Sequence, residues 1–173
     1  MNIKWLVLDV DGVFTNGHII YTSAGEELKA FYAQDGLAIA AARKVGLRIA
    51  IITGRISPIL ERRAEELKID TLIMGCRNKS EALQALCEEQ DVNSKDIAYM
   101  GDDLNDLGVL HMVGLPLAPA NGCEEVKSVA KYVTTREGGY GAIREAIEYI
   151  LKNENLWSKV VDSYKNETYT VGQ

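Results

Sequence analysis

Three features of the sequence predict an α/β fold built on a doubly wound parallel sheet. Continuous apolar runs, such as IKWLVL at residues 3–8 and RIAIIT at residues 48–53, have the length of strands buried on both faces. These runs alternate with segments of helical period, the pattern of right-handed strand–helix–strand crossovers. Several of them end in a polar residue or turn, and the carboxyl ends of the strands are where open α/β sheets bind ligands.

The first run ends at Asp9 and Asp11, and Gly12 lets the chain turn away. Residues 18–31 hold two short β-prone runs around Ser23, Ala24 and Gly25, which predicts a hairpin too small to be a domain. Asp35 is expected to cap a helix over residues 36–45, with Leu37, Ile39, Ala40 and Ala41 as its apolar positions and Gly46 as its stop. The second strand leads into Gly54 and Arg55, after which Ser57 and Pro58 open a helix to about Leu67 as N-cap and first-turn proline. A third strand is expected at 71–74 and a helix at 78–90, with Ala82, Leu83, Leu86 and Cys87 on one face. The fourth strand, 97–100, ends in Gly101, Asp102 and Asp103. A helix at 103–112, a strand at 115–118, a helix at 124–130 and a strand at 132–134 follow. Residues 140–152 are strongly periodic, with Ile143, Ala146, Ile147, Ile150 and Leu151 apolar. The tail from 153 is polar, with Leu156, Trp157, Val160 and Val161 marking a short amphipathic helix. One domain over residues 1–173 is expected, with a hairpin flap at 18–31 and a C-terminal tail at 153–173.

Composition narrows the function. A hydrophobic content of 47% is ordinary for a soluble domain, and a net charge of -6 argues against nonspecific binding to nucleic acid or anionic membranes. The opening segment lacks a basic region, and its apolar run is too short for a signal peptide or a membrane span, so a cytoplasmic location is expected. Cys76, Cys87 and Cys123 have no CxxC spacing and no histidine at ligand distance, so buried reduced thiols are expected rather than disulfides or zinc.

A parallel sheet brings neighbouring strand ends together. Asp9 and Asp11, Thr53 and Gly54, Lys79, and Asp102, Asp103 and Asp106 are therefore expected around one crevice. Crowded carboxylates suit a hard cation that keeps several waters, which favours Mg²⁺. The Thr53 hydroxyl, the Gly54 N–H and Lys79 would donate to a phosphate, and a metal facing phosphate donors describes a phosphoryl-transfer site. Each motif alone has a plain reading as an acidic turn, a strand-end cap or a surface lysine; their order is what points to chemistry.

The order DVDGVFT, ITGR, Lys79 and GDDLND resembles the haloacid dehalogenase (HAD) superfamily of phosphotransferases from Asp9 to Asp106. DGVFTNG, the hairpin YTSAGEELKAFYAQDGLAI, ITGRISPILERRAEEL, GDDLNDL, REGGYGAIRE and the terminal GQ resemble its family of 3-deoxy-D-manno-octulosonate (KDO) 8-phosphate phosphatases. The resemblance implies a Rossmann-like HAD core without a cap domain, Asp9 as nucleophile and Asp11 as general acid and base. It implies Mg²⁺ held by the Asp9 and Asp102 carboxylates and the Asp11 backbone carbonyl, with Asp103 and Asp106 behind them or in contact through water. It places Asp11, Tyr32, Ala33, Gln34, Asp35, Gly36, Arg55, Arg63 and Lys79 around a small sugar phosphate. It further implies that Arg144 or Glu145 locks REGGYGAIRE beside the site, and that hairpins join four subunits, with each C-terminal tail reaching a neighbour's site. Asn16 and Gln34 replace the Asp and Arg usual in the family. Two other readings of the same fold stay open, a phosphatase of the nine-carbon acid KDN 9-phosphate and a non-catalytic regulatory or oligomerisation module. A receiver domain also groups acids, a threonine and a lysine around Mg²⁺, but it takes phosphate on a central-strand aspartate, and none ends RIAIIT.

Overall fold

Apolar runs of four or five residues pair in parallel because their backbone groups must find partners while both faces lose water. The computed structural model of the protein describes residues 2–166. Its strands are β1 (Trp5–Leu8), β2 (Ile20–Tyr21), β3 (Glu27–Leu28), β4 (Arg48–Ile52), β5 (Thr71–Ile73), β6 (Ile97–Met100), β7 (Leu115–Ala118) and β8 (Tyr132–Val133). Its helices are α1 (Ala33–Lys44), α2 (Pro58–Leu67), α3 (Lys79–Glu89), α4 (Leu107–Met112), α5 (Glu124–Val129), α6 (Ala142–Asn153) and α7 (Trp157–Asn166). Six strands form one parallel sheet in the order β5-β4-β1-β6-β7-β8, while β2 and β3 pair as an antiparallel hairpin outside it.

The buried strand β1 lies between β4 and β6, with Leu8 opposite Ile51 on one side and Met100 on the other. Alternate side chains leave opposite faces. Leu6 and Leu8 pack with Ile39 of α1 and with Ile143 and Ile147 of α6, whereas Trp5 and Val7 pack with Leu83 and Leu86 of α3 and with Val109 of α4. Helices thus cover both faces, as a doubly wound sheet requires. Local signals set two starts: Ser57 Oγ accepts from the Leu60 N–H before Pro58, and Asn78 Oδ1 accepts from the Ser80 and Glu81 N–H groups. Among the described residues no helix is long and apolar enough to cross a membrane.

Several elements differ from the sequence expectations. Helix α1 begins at Ala33 rather than Gly36, and Asp35 lies inside it instead of capping it. The fully buried Asp35 carboxylate accepts from the backbone N–H of Arg144 at 2.7 Å, so it caps the first turn of α6 from another helix. That attachment rotates α1, exposing Leu37 and Ala40 and burying Ala38 and Ala42. Residues 104–106 form a 3-10 turn before α4, and α6 starts two residues later than its periodicity suggests. The tail, by contrast, forms the expected amphipathic helix, α7, which inserts Val160 into the core. The three cysteines are free but only half-buried, since each sits near an element end. Of the tail, residues 167–173, including the terminal GQ, lie outside the described residues.

Burial raises Asp35 to about 6, against the hydrogen bond from Arg144. The folded protein then binds this proton more tightly than the unfolded chain, so the stabilising contribution is full below the ordinary value of 3.8 and is lost as pH rises through about 6. Asp35→Asn keeps the accepting oxygen without the charge. Urea titrations should find it more stable than the parent at neutral pH, on the order of 2 kcal/mol, with a flatter stability profile across the acid range. A large loss of stability at neutral pH would contradict this account of the cap.

Candidate active site

The site stands on the carboxyl edge of the three central strands. Beyond β1 the Asp9 N–H donates to Met100 O at 3.0 Å, continuing the strand's register and fixing the direction of its carboxylate. The N–H groups of Val13, Phe14 and Thr15 then all converge on Val10 O, a tight turn that brings Asp11 to the same edge. Gly12 has a φ of +94°, and a Cβ there would lie 2.0 Å from Asp102 Oδ2, so glycine is needed for both the turn and the close approach. Gly101 plays a similar part after β6, where a Cβ would lie 2.4 Å from Asp106 Cγ.

A cleft of about 260 Å³ is lined by Asp9, Asp11, Thr53, Gly54, Arg55, Lys79, Asp102 and Asp103, joined by Ile19 and Asn105. A larger groove, about 420 Å³, runs between α1 and α7, but it is mainly apolar and lies away from these acids. Chemistry therefore belongs to the smaller cleft.

Its charges are closely arranged. Lys79 opens α3, and its nearly buried ammonium lies 2.9 Å from Asp9 Oδ2 and 2.7 Å from Asp106 Oδ1. Burial works against the ammonium, yet Asp9 and Asp106 outweigh it and hold the Lys79 pKa above its usual value. Burial raises Asp9 to about 6 in spite of Lys79. Asp102 is raised to about 7, by burial first and then by the negative charges of Asp9 and Asp106.

Carboxylate oxygens of Asp9, Asp102 and Asp106 all lie within 4.8 Å of one another. Among the described residues one lysine faces these three acids, so the set fits a divalent cation, and an all-oxygen set fits Mg²⁺. Asp106 is already engaged: Oδ1 accepts from Lys79 and from the Tyr99 hydroxyl at 2.6 Å, and Oδ2 accepts from the backbone of Asp102 at 3.0 Å and Asp103 at 3.3 Å. Asp9 and Asp102 are the carboxylates left to meet a cation. Asp103 caps the 3-10 turn through the Leu104 N–H at 2.8 Å.

Not every expected residue reaches the cleft. Tyr32, Ala33, Gln34, Asp35 and Gly36 lie at the start of α1, which is pinned to α6, and none of them lines it. Asp35 is fully buried and faces the start of α6 rather than the cleft. Gln34 accepts from Arg136 at 3.2 Å, and Gly36 is packed against the Arg63 guanidinium. Arg63 pairs with Glu66 at 3.2 Å and stands over the Phe31 ring, also outside the cleft.

Other participants carried no local signal. Lys29 of the hairpin contacts Asp11 at 2.6 Å, although the sequence offers it only as one of 19 basic residues. Tyr99 reads as one more apolar strand residue, yet its hydroxyl supports Asp106. The glycine-rich stretch after β8 braces the first turn: Asn121 bridges the Gly138 N–H at 2.7 Å and Gly12 O at 2.9 Å. Glu145, rather than Arg144, ties that stretch, accepting from Thr135, Arg136 and the Tyr132 hydroxyl. Arg144 pairs with Glu148.

Residues 76–147 match the family model of haloacid dehalogenase-like hydrolases. The chain is 42% identical over 150 residues to the 3-deoxy-D-manno-octulosonate 8-phosphate phosphatase of Escherichia coli K12, spanning 87% of this chain and 80% of that one. The Haemophilus influenzae phosphatase is 37% identical over 94% of this chain and 89% of its own. A crystal structure of the Moraxella catarrhalis phosphatase in complex with a magnesium ion, a phosphate ion and a KDO molecule superposes with a TM-score of 0.92, at 43% identity and 94% coverage of both chains. The cobalt-bound Haemophilus influenzae enzyme gives a TM-score of 0.86 at 36% identity, covering 89% of this chain and 90% of that one.

Because Asp106 takes four donors, removing it leaves the buried Tyr99 hydroxyl without its partner and the buried Lys79 ammonium with Asp9 as its remaining counter-charge. Asp106→Ala should lose about 3–5 kcal/mol in chemical denaturation. Tyr99→Phe, which removes one hydroxyl donor, should lose only about 1 kcal/mol. Equal and small losses would show that Asp106 is not the anchor.

Proposed function

The chain belongs to the 3-deoxy-D-manno-octulosonate 8-phosphate phosphatases, a family of haloacid dehalogenase-like hydrolases, and on that premise we propose that it hydrolyses KDO 8-phosphate to KDO and inorganic phosphate. One observation carries the reading: Asp9 and Asp11 end β1 beside Thr53, Lys79 and Asp102, in a chain 43% identical to a phosphatase that holds magnesium, phosphate and KDO. A KDN 9-phosphate phosphatase has no comparable support, and a purely regulatory module would not need the paired carboxylates.

Mg²⁺, held by the Asp9 and Asp102 carboxylates and the Asp11 carbonyl, supplies charge neutralisation and polarisation of the phosphoryl group when bound. Thr53, Gly54 and Lys79 orient the phosphoryl oxygens as donors. A carboxylate oxygen of Asp9 attacks phosphorus, the bond to the sugar oxygen breaks, and Asp11 gives its proton to the departing alkoxide. Asp11 then takes a proton from the water that attacks the aspartyl phosphate, which releases phosphate and regenerates Asp9. The Arg55 guanidinium at the rim of the cleft is assigned to the sugar carboxylate, which its planar fork suits.

The whole chain acts as one catalytic domain, and closure of the cleft falls to neighbouring subunits. Ile20, Tyr21 and Leu28 on the hairpin are each at least 50% exposed, and the two short strands have open edges. Covering them by other copies would remove an aggregation hazard and place a roof over each cleft. A homotetramer with hairpins at its centre follows, with Tyr32, Ala33, Gln34, Gly36 and Arg63 beside the substrate of the assembled enzyme. Cytoplasmic supply of KDO for lipopolysaccharide is the matching role.

Phosphate release across a set of sugar phosphates should be highest with KDO 8-phosphate, cease on chelation and return with Mg²⁺. Asp9→Asn should leave the fold intact and abolish turnover, because an amide cannot attack phosphorus. Turnover by that variant, with deamidation excluded by mass, would refute the assignment. Light scattering at assay concentration should give four times the 19.1 kDa chain mass; a fully active monomer would refute the shared roof.

A further inference from the structure

Lys29 follows β3 of the hairpin, far from the motifs that mark the cleft, yet its side chain is only 2% exposed. A covered ammonium needs compensating charge. Lys29 finds it in Asp11 Oδ1, at 2.6 Å, and in Glu27, at 3.5 Å. Glu27 in turn accepts from the Ser57 hydroxyl at 2.6 Å and from Arg55 Nη2 at 3.0 Å. Arg55 also donates to the Tyr21 hydroxyl at 3.1 Å, and its Nε stands 3.5 Å from Asp11 Oδ2. The Asp11 side chain is thus held between the hairpin and the loop after β4.

We propose that Lys29 is a positioning residue for proton transfer by Asp11. With Oδ1 engaged by the ammonium at 2.6 Å and Oδ2 standing 3.5 Å from Arg55 Nε, Oδ2 is the less tightly held oxygen and the one to exchange the proton, and the carboxyl group cannot turn freely. The inference rests on the reading of Asp11 as the general acid. In the step concerned, a bond forms between an Asp9 oxygen and phosphorus. The bond from phosphorus to the sugar oxygen breaks, its electron pair stays on that oxygen, and the Asp11 proton passes to it. A carboxyl group free to rotate would spend less time aimed at that oxygen, so the first half-reaction would slow whenever the leaving group needs the proton. Through Glu27, Arg55 and Ser57 the same contacts make the hairpin part of the proton-transfer apparatus, besides any role between subunits.

The leaving group separates positioning from mere structural support. KDO 8-phosphate departs as an alkoxide that requires a proton, whereas 4-nitrophenyl phosphate departs as a stabilised phenolate that does not. Single-turnover release of KDO by rapid quench and of 4-nitrophenolate by absorbance, with enzyme in excess and Mg²⁺ saturating, isolates the first half-reaction. Lys29→Met should slow KDO release about 100-fold and nitrophenolate release less than about tenfold. Lys29→Gln, which retains a donor, should lose less. The ratio of the two rates on one preparation is independent of the fraction folded, so partial unfolding of a variant does not blur the result. Equal losses with both substrates, or no loss, while Asp11→Asn keeps its strong dependence on the leaving group, would overturn the role of Lys29 alone. If Asp11→Asn shows no such dependence, the general-acid reading of Asp11 falls, and the positioning role falls with it.

Discussion

The buried ion pairs of Lys79 with Asp9 and Asp106 are the interaction on which the catalytic edge depends. Taking such charges out of water is costly, and mutual attraction compensates only when the remaining oxygens also find donors. The fold supplies them: the Tyr99 hydroxyl and two backbone N–H groups complete Asp106, and α3 starts at the residue that must reach inward. Asp9 is thereby held immediately after a central strand, its N–H bonded to Met100 O and one carboxylate oxygen on Lys79. A nucleophile fixed in this way needs little further ordering to meet phosphorus.

Around that centre the backbone itself is packed to contact. A Cβ at Gly12 would strike Asp102, one at Gly101 would strike Asp106, and one at Gly138 would lie 1.8 Å from Gly12 O. Three segments distant in sequence meet here with no room for a side chain at any of these glycines. Asn121 and Glu145 supply the hydrogen bonds that hold the third segment against the first. The result is a rigid floor of carboxylates, with the hairpin as its only nearby roof in the described chain.

Floor and roof differ in construction. The floor is tied to six strands and two hydrophobic layers. The hairpin has two residues per strand and exposes apolar side chains, so its attachment relies on polar contacts through Lys29, Glu27 and Arg55. An element so lightly packed is suited to adjust when a sugar enters or a subunit docks.

Period and punctuation carry most of the fold. Both faces of β1, β4 and β6 must be apolar in a parallel sheet, so these strands are legible as continuous runs, and Ser57-Pro58 and Asn78 mark two helix starts by local hydrogen bonding alone. Asp9, Asp11, Thr53, Lys79 and Asp102 were legible for a related reason, since strand ends of a parallel sheet converge whatever the intervening chain does. Tertiary structure decided what local pattern cannot encode. Asp35 had the chemistry of a cap for its own helix, but the donors of α6 were available across the fold, so α1 started earlier and turned. Arg63, paired with Glu66 on α2, and the start of α1 lie outside the cleft of their own chain. Lys29 and Tyr99 acquired their partners only through contacts 18 and 7 residues distant in sequence. A buried polar group is satisfied by whichever partner the packed chain brings near, and sequence spacing does not specify that partner.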